Sequence, residues 1–215
     1  MVVEFTINKS QPEFQQLQNR AFELSLKVHP NKANSALTKR DKEMLVRDSL
    51  GGVLAEYGWY SYIKHSYGDI VSYTEFESTK NQIDLVLSNK KTIEVRSSFP
   101  RNGVRFALCS KKHNFKNICK YDNLYKPSEV DKDFFAMVLF ETQKEDLFES
   151  NSEEVVFYLV GGSTRAMMED KNISFLDNLI AEDDLTYTKT DYKVIYLYNA
   201  LDMHGFDNYM KKNGY

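Results

Sequence analysis

Two short segments restrict the fold of this chain more than any other stretch: Gln82-Ile83-Asp84-Leu85-Val86-Leu87 and Thr92-Ile93-Glu94-Val95-Arg96-Ser97. In both, aliphatic residues recur at every second position, the period of a strand with one apolar face. The odd positions Ile83, Leu85, Leu87, Ile93 and Val95 are aliphatic; the even ones carry Asp84, Val86, Glu94 and Arg96. A hairpin that buries the odd face therefore projects two carboxylates and a guanidinium from the other. Side-by-side carboxylates repel each other unless a cation neutralises them. This cluster is the chain's best candidate for chemistry.

The register follows from the apolar pattern. A strict two-residue turn at Asn89-Lys90 would set Asp84 opposite Val95 and mismatch the apolar faces. A three-residue loop, Ser88-Asn89-Lys90, sets Leu87 opposite Lys91 and Asp84 opposite Glu94. A one-residue slip would turn every side chain to the wrong face. Directly opposed residues have Cβ atoms roughly 4.5–5.5 Å apart, close enough for two carboxylates to share one divalent cation. An ordinary amphipathic hairpin with a wet face has the same local pattern.

Asp84, nine intervening residues and Glu94-Val95-Arg96 together resemble the motif of the PD-(D/E)XK nuclease superfamily, with its restriction-endonuclease-like fold. In that family one strand supplies an Asp and the next supplies Glu-x-Lys. The carboxylates hold Mg²⁺ near the scissile phosphate, and the Lys lies close to the attacking water. Many members add a Glu from a preceding helix, and Gly51-Gly52-Val53-Leu54-Ala55-Glu56 resembles that element. The resemblance covers roughly residues 45 to 140. It implies Asp84 and Glu94 as metal ligands, the Val95 carbonyl as a third, and Glu56 as a ligand to a second metal or a water-orienting group. Ile83 stands where the family name has Pro. Arg96 stands where Lys is usual, and this matters more, because Arg stays protonated and cannot act as a base. It can hold a phosphate oxygen or stabilise transition-state charge. Arg96 thus fits an active nuclease and also a DNA-binding relative that has lost cleavage.

The net charge of −3 gives no sign of a polyanion partner, but its distribution does. From Lys90 to Pro127 ten basic residues face two acidic ones, a net of +8, whereas positions 141 to 184 carry a net of −9. A local positive field beside the carboxylates suits a phosphate backbone. Arg101, Arg105, Lys111 and Lys112 are the expected backbone contacts. A solvated Lys-rich loop is the bland explanation of the same run. The four His are scattered, and Cys109 and Cys119 form neither a disulfide framework nor a zinc site. No run of about 18 apolar residues points to a membrane span. The N-terminus lacks a signal pattern, so a cytoplasmic setting is expected.

Along the chain, residues 11–28 read as a helix and Pro30 breaks it. Thr38-Lys39-Arg40-Asp41 resembles a capping box opening a long helix to about Lys64. Its stripe of Val46, Leu50, Val53, Leu54 and Tyr57 faces a core, with Glu56 at the edge. Mid-helix Gly51 and Gly52 point to a close helix-to-sheet approach. Strands are expected at 70–77, 82–87, 91–97, 134–141, 154–160 and 192–198, with helices at 105–118, 165–169 and 200–212. The near-continuous apolar run Phe134–Glu141 marks a central strand. Gly161-Gly162-Ser163-Thr164 reads as a strand-to-helix turn, with a cap at Ser163 or Thr164. Residues 141–154 read as a charged, mobile loop.

These readings converge on one α/β domain, a mixed central sheet flanked by helices. Residues 1–44 form an N-terminal helical extension, 45–140 a catalytic core, and 141–215 strands and helices that complete the sheet. The implied activity is Mg²⁺-dependent hydrolysis of double-stranded DNA by a restriction- or defence-type endonuclease, with a homodimer for symmetric cutting. The alternatives are an inactive DNA-binding protein of the same fold, an RNA-processing nuclease, and an interaction module whose charged segments pair.

Overall fold

The computed structural model describes residues 1–28, 41–75, 82–100, 104–109, 115–121, 130–149, 152–178 and 191–215. The first half of the chain forms β1 (Val3–Asn8), α1 (Pro12–Lys27), α2 (Lys42–Tyr67), β2 (Val71–Tyr73), β3 (Leu85–Leu87), β4 (Thr92–Ser98) and α3 (Val104–Cys109). The second half forms β5 (Lys116–Tyr121), β6 (Phe134–Phe140), β7 (Glu154–Thr164), α4 (Arg165–Glu169), β8 (Ser174–Asn178), β9 (Asp191–Tyr196) and α5 (Met203–Lys212).

Six strands make a mixed sheet in the order β1-β7-β6-β4-β3-β2, in which only β4 and β6 run parallel. All seven residues of β6 are buried, as the apolar run requires of a central strand. Its even residues, Phe134, Ala136, Val138 and Phe140, join Leu50, Val53, Leu54 and Trp59 of α2 and Phe206 of α5 in the main core. Its odd residues face the other way. Met137 and Leu139 meet Val104 of α3, and Phe135 meets Met168 of α4 and Ile195 of β9. The central sheet is thus covered on both faces.

Helix α2 explains where Glu56 comes to rest. Its cap is Asp41 itself, whose side chain accepts the Met44 N–H at 2.7 Å; Thr38 lies outside the described residues. Of the glycine pair, Gly51 makes the close approach, since a Cβ there would come within 2.7 Å of the Phe99 ring. Gly52 has open space. Gly58 provides the other tight contact, against Phe157. Helix α1 packs on α2 through Phe14, Leu17 and Ala21.

Several elements differ from expectation. Residues 3–8, assigned to a helical extension, form an edge strand whose Phe5 stacks on Phe157 at 5.5 Å. Apolar Val3, Phe5 and Ile7 alternate with Glu4 and Thr6, so the strand signal was present. The expected helix over 105–118 is the short α3 followed by β5. Strands β8 and β9 do not complete the main sheet; with β5 they make a separate sheet in the order β5-β9-β8. Strand β7 runs straight through the glycines that read as a turn. Gly161 adopts φ +95° at a bulge opposite Met137, and a Cβ there would collide with the Leu201 carbonyl. Gly162 and Leu201 exchange two 2.8 Å backbone hydrogen bonds. The cap of α4 is Thr164. The charged stretch after β6 is pinned by fully buried Leu147 and by a Lys144–Asp48 ion pair. Among the described residues, no helix is long and apolar enough to cross a membrane.

Candidate active site

The β3–β4 hairpin adopts the register that the apolar pattern selects. Leu85 pairs with Ile93 and Val86 with Thr92, and the Leu87 N–H donates to the Lys91 carbonyl at 2.8 Å. One step further, Asp84 stands opposite Glu94. The Val95 N–H donates to Asp84 Oδ2 at 2.7 Å, and the Gln82 side-chain amide donates to Oδ1 at 3.0 Å. Lys90 takes the left-handed conformation (φ 69°) that closes the three-residue loop.

Glu56 arrives from α2. It lines an open cleft of about 190 Å³ together with Asp84, Gln82, Ile83 and Thr74, and with Arg20, Glu23, Leu24 and Lys27 of α1. Asp84, Glu94, Arg96 and Glu56 are all buried. The polar side of the hairpin is therefore no wet face, and its charges must find partners in the protein. Glu94 is held by two cations: Arg96 Nη1 lies 2.8 Å from Oε1, and Lys132 Nζ lies 3.3 Å from Oε2. Lys132 is fully buried. Glu56 Oε2 pairs with Arg20 Nη2 at 2.5 Å, and the Arg20 guanidinium lies 4.1 Å from the centre of the Tyr73 ring.

The electrostatics show that Glu56 senses the Glu94 charge and that Asp84 senses both. Burial pushes the Glu56 carboxyl up to about 7; Arg20 opposes this by charge and hydrogen bond, and the Glu94 charge reinforces it. Asp84 is raised well above the usual carboxylate range, first by burial and then by the charges of Glu94 and Glu56. The Val95 N–H and Arg96 pull the other way. Repulsion of this kind is what a divalent cation relieves.

The family resemblance implies Mg²⁺, and the donor set fits it in kind: hard carboxylate oxygens from three elements, buried and mutually repelling. Each carboxylate is engaged by a donor of the chain. Among the described residues, no three His, Cys, Asp or Glu side chains are gathered as a metal-binding group.

The fold thus brings together Glu56, Asp84, Glu94 and Arg96, and not the expected backbone contacts. Arg105 is exposed and forks onto Glu141, with contacts of 2.5 and 2.8 Å. Arg101, Lys111 and Lys112 lie outside the described residues. Part of the +8 segment is neutralised from within: Lys91 pairs with Asp133, and Lys116 with Asp177.

Two participants carry no local mark in the sequence. Lys132 sits between Asp131 and Asp133 and looks like a solvated loop residue. Arg20, Glu23 and Lys27 share one helical face at spacings of three and four, but nothing nearby ties that face to Glu56. No family model, no characterised protein and no solved structure matches this chain.

Proposed function

We propose that this chain is a divalent-metal-dependent nuclease of the PD-(D/E)XK type, with a restriction-endonuclease-like fold, acting on double-stranded DNA. One observation supports the proposal: three buried carboxylates, from helix α2 and from the two arms of the hairpin, lie near enough for their charges to interact. The β3–β4 register extended by one residue sets Asp84 opposite Glu94, and Glu56 lines the same cleft as Asp84. The mixed sheet with α2 packed on one face is consistent with that architecture.

In this reading Asp84 and Glu94 hold Mg²⁺, with Glu56 as the third carboxylate. When bound, the ion supplies Lewis-acid stabilisation of phosphoryl charge and an acidified water. Arg96 and Lys132 hold and orient Glu94 through contacts at its two oxygens. Arg96 cannot take a proton, so its part is electrostatic. Lys132 supplies the ammonium missing from the third motif position.

The test is plasmid cleavage with and without Mg²⁺, with RNA as competitor. Asp84→Ala and Glu94→Ala are expected to lower the rate roughly 10³-fold, the several kcal/mol that a metal site contributes. Both should still bind DNA. Wild-type protein that cuts neither DNA nor RNA with Mg²⁺ or Mn²⁺ would refute the assignment. A second reading, DNA binding without cleavage, is favoured by one observation: Arg96 and Lys132 both contact Glu94, the carboxylate most needed by a metal. Retained DNA binding without cutting in wild type would establish it. Arg96→Lys, which restores the common motif, should then gain activity.

A further inference from the structure

Arg20 belongs to the first helix, outside the segment that resembles the nuclease motif, yet the fold sets it in the carboxylate cleft. Its Nη2 is 2.5 Å from Glu56 Oε2, and its guanidinium lies 4.1 Å from the Tyr73 ring centre. The Arg20 side chain is 36% exposed and that of Glu56 is 9% exposed. The cation therefore reaches a buried carboxylate from the open side. The Tyr73 ring and the packing of α1 on α2 hold it there.

A buried carboxylate near two others demands positive charge. At Glu94 that charge comes from Arg96 and Lys132, and at Glu56 it comes from Arg20. A divalent ion that takes Glu56 as a ligand meets a guanidinium already bound to that carboxylate, and the two positive charges repel. We propose that Arg20 is a tethered counter-ion that competes with a divalent cation for Glu56, so that cation binding and release of the Arg20–Glu56 pair are one equilibrium. This rests on the metal-site reading above. It makes α1 part of the site and sets the metal affinity through a residue that is not a ligand. By linkage, whatever draws Arg20 away from Glu56 tightens metal binding by the same factor.

The test is Mn²⁺ binding to the full chain, followed by calorimetry and by the spin-resonance signal of bound Mn²⁺, with folding checked by thermal melting. Arg20→Gln is expected to tighten Mn²⁺ binding about tenfold, within the usual range of coupling between sites. Lys27→Gln removes the same charge from the same cleft and should change affinity less than about twofold, since screening weakens an indirect field. In a Glu56→Gln background, Arg20→Gln should have no further effect. Should Arg20→Gln fail to fold, Arg20→Lys keeps the charge but loses the planar fork, and is expected to tighten binding by a smaller factor. Unchanged or weaker binding in the Arg20 variants, while wild type binds Mn²⁺, would overturn the competition and leave the metal site standing. Equal gains in the Arg20 and Lys27 variants would likewise overturn it, as a general field effect. Wild type that neither binds Mn²⁺ nor cuts nucleic acid would remove the metal-site reading and this inference with it.

Discussion

Lys132 is the residue whose environment departs furthest from its sequence context. Its ammonium is fully buried and lies 3.3 Å from Glu94 Oε2, while Arg96 holds the other carboxylate oxygen. Removing one partner of a buried ion pair leaves a charge uncompensated, which typically costs 3–5 kcal/mol. Because Arg96 remains, Lys132→Met is expected to destabilise the fold by about 3 kcal/mol, the low end of that range. Urea unfolding should show a lower midpoint with an unchanged slope. The double variant Lys132→Met/Glu94→Gln should be more stable than Lys132→Met alone, because it removes the stranded charge. A loss below about 1 kcal/mol in the single variant, as for a surface ion pair, would mean that Arg96 alone suffices for Glu94.

At the scale of elements, α2 must lie close enough to the sheet to bring Glu56 to the hairpin, and its glycines set that distance. Gly58 faces Phe157, where a Cβ would approach to 2.6 Å, and Gly52 faces open space. The same substitution should therefore have opposite signs at two positions of one helix. Gly52→Ala is expected to stabilise by up to about 1 kcal/mol through helix propensity. Gly58→Ala should destabilise by about 1–3 kcal/mol, because the Phe157 ring has to move within a packed core. Thermal melts of the two variants decide the matter; a stabilised Gly58→Ala would show that the helix can stand off from the sheet. Legibility at this scale divides in the same way. The glycine pair signals a close approach, but only the packed helix distinguishes Gly51 from Gly52, since contact depends on which face meets Phe99.

For the whole molecule, the buried acids predict an uncommon pH profile. Glu56, raised from 4.5 to about 7, and Asp84, also raised, keep protons in the folded state that the unfolded chain has already released. Between about pH 4.5 and 7 the Glu56 contribution should therefore fall as pH rises, by up to roughly 1.4 kcal/mol per unit, and Asp84 acts in the same direction. Asp133, Glu141 and Asp202 are lowered, so their contribution is present above the ordinary carboxylate range and is lost as pH falls through their folded values. The maximum should lie near about pH 5. Melting temperatures from pH 3 to 9 in a chelating buffer test this, and Glu56→Gln should flatten the alkaline limb. Mg²⁺ should raise the melting temperature more at pH 8 than at pH 5, since protons and metal compete for the same oxygens. A profile flat from pH 5 to 8, insensitive to Glu56→Gln, would contradict a mutually repelling acidic cluster.

The sequence by itself determined the hairpin register, the facing of Asp84 and Glu94, the central strand β6 and the long helix α2. Each is encoded within one hairpin or a few turns, where period, loop length and capping act among neighbours. The tertiary structure alone decided that residues 3–8 take a sheet edge, that β8 and β9 form a second sheet with β5, and that Lys132 and Arg20 supply the cations for Glu94 and Glu56. Arg20 and Glu56 are 36 residues apart. Their meeting depends on how α1 settles on α2, and that is governed by the sum of apolar burial over both helices rather than by any pattern near either residue.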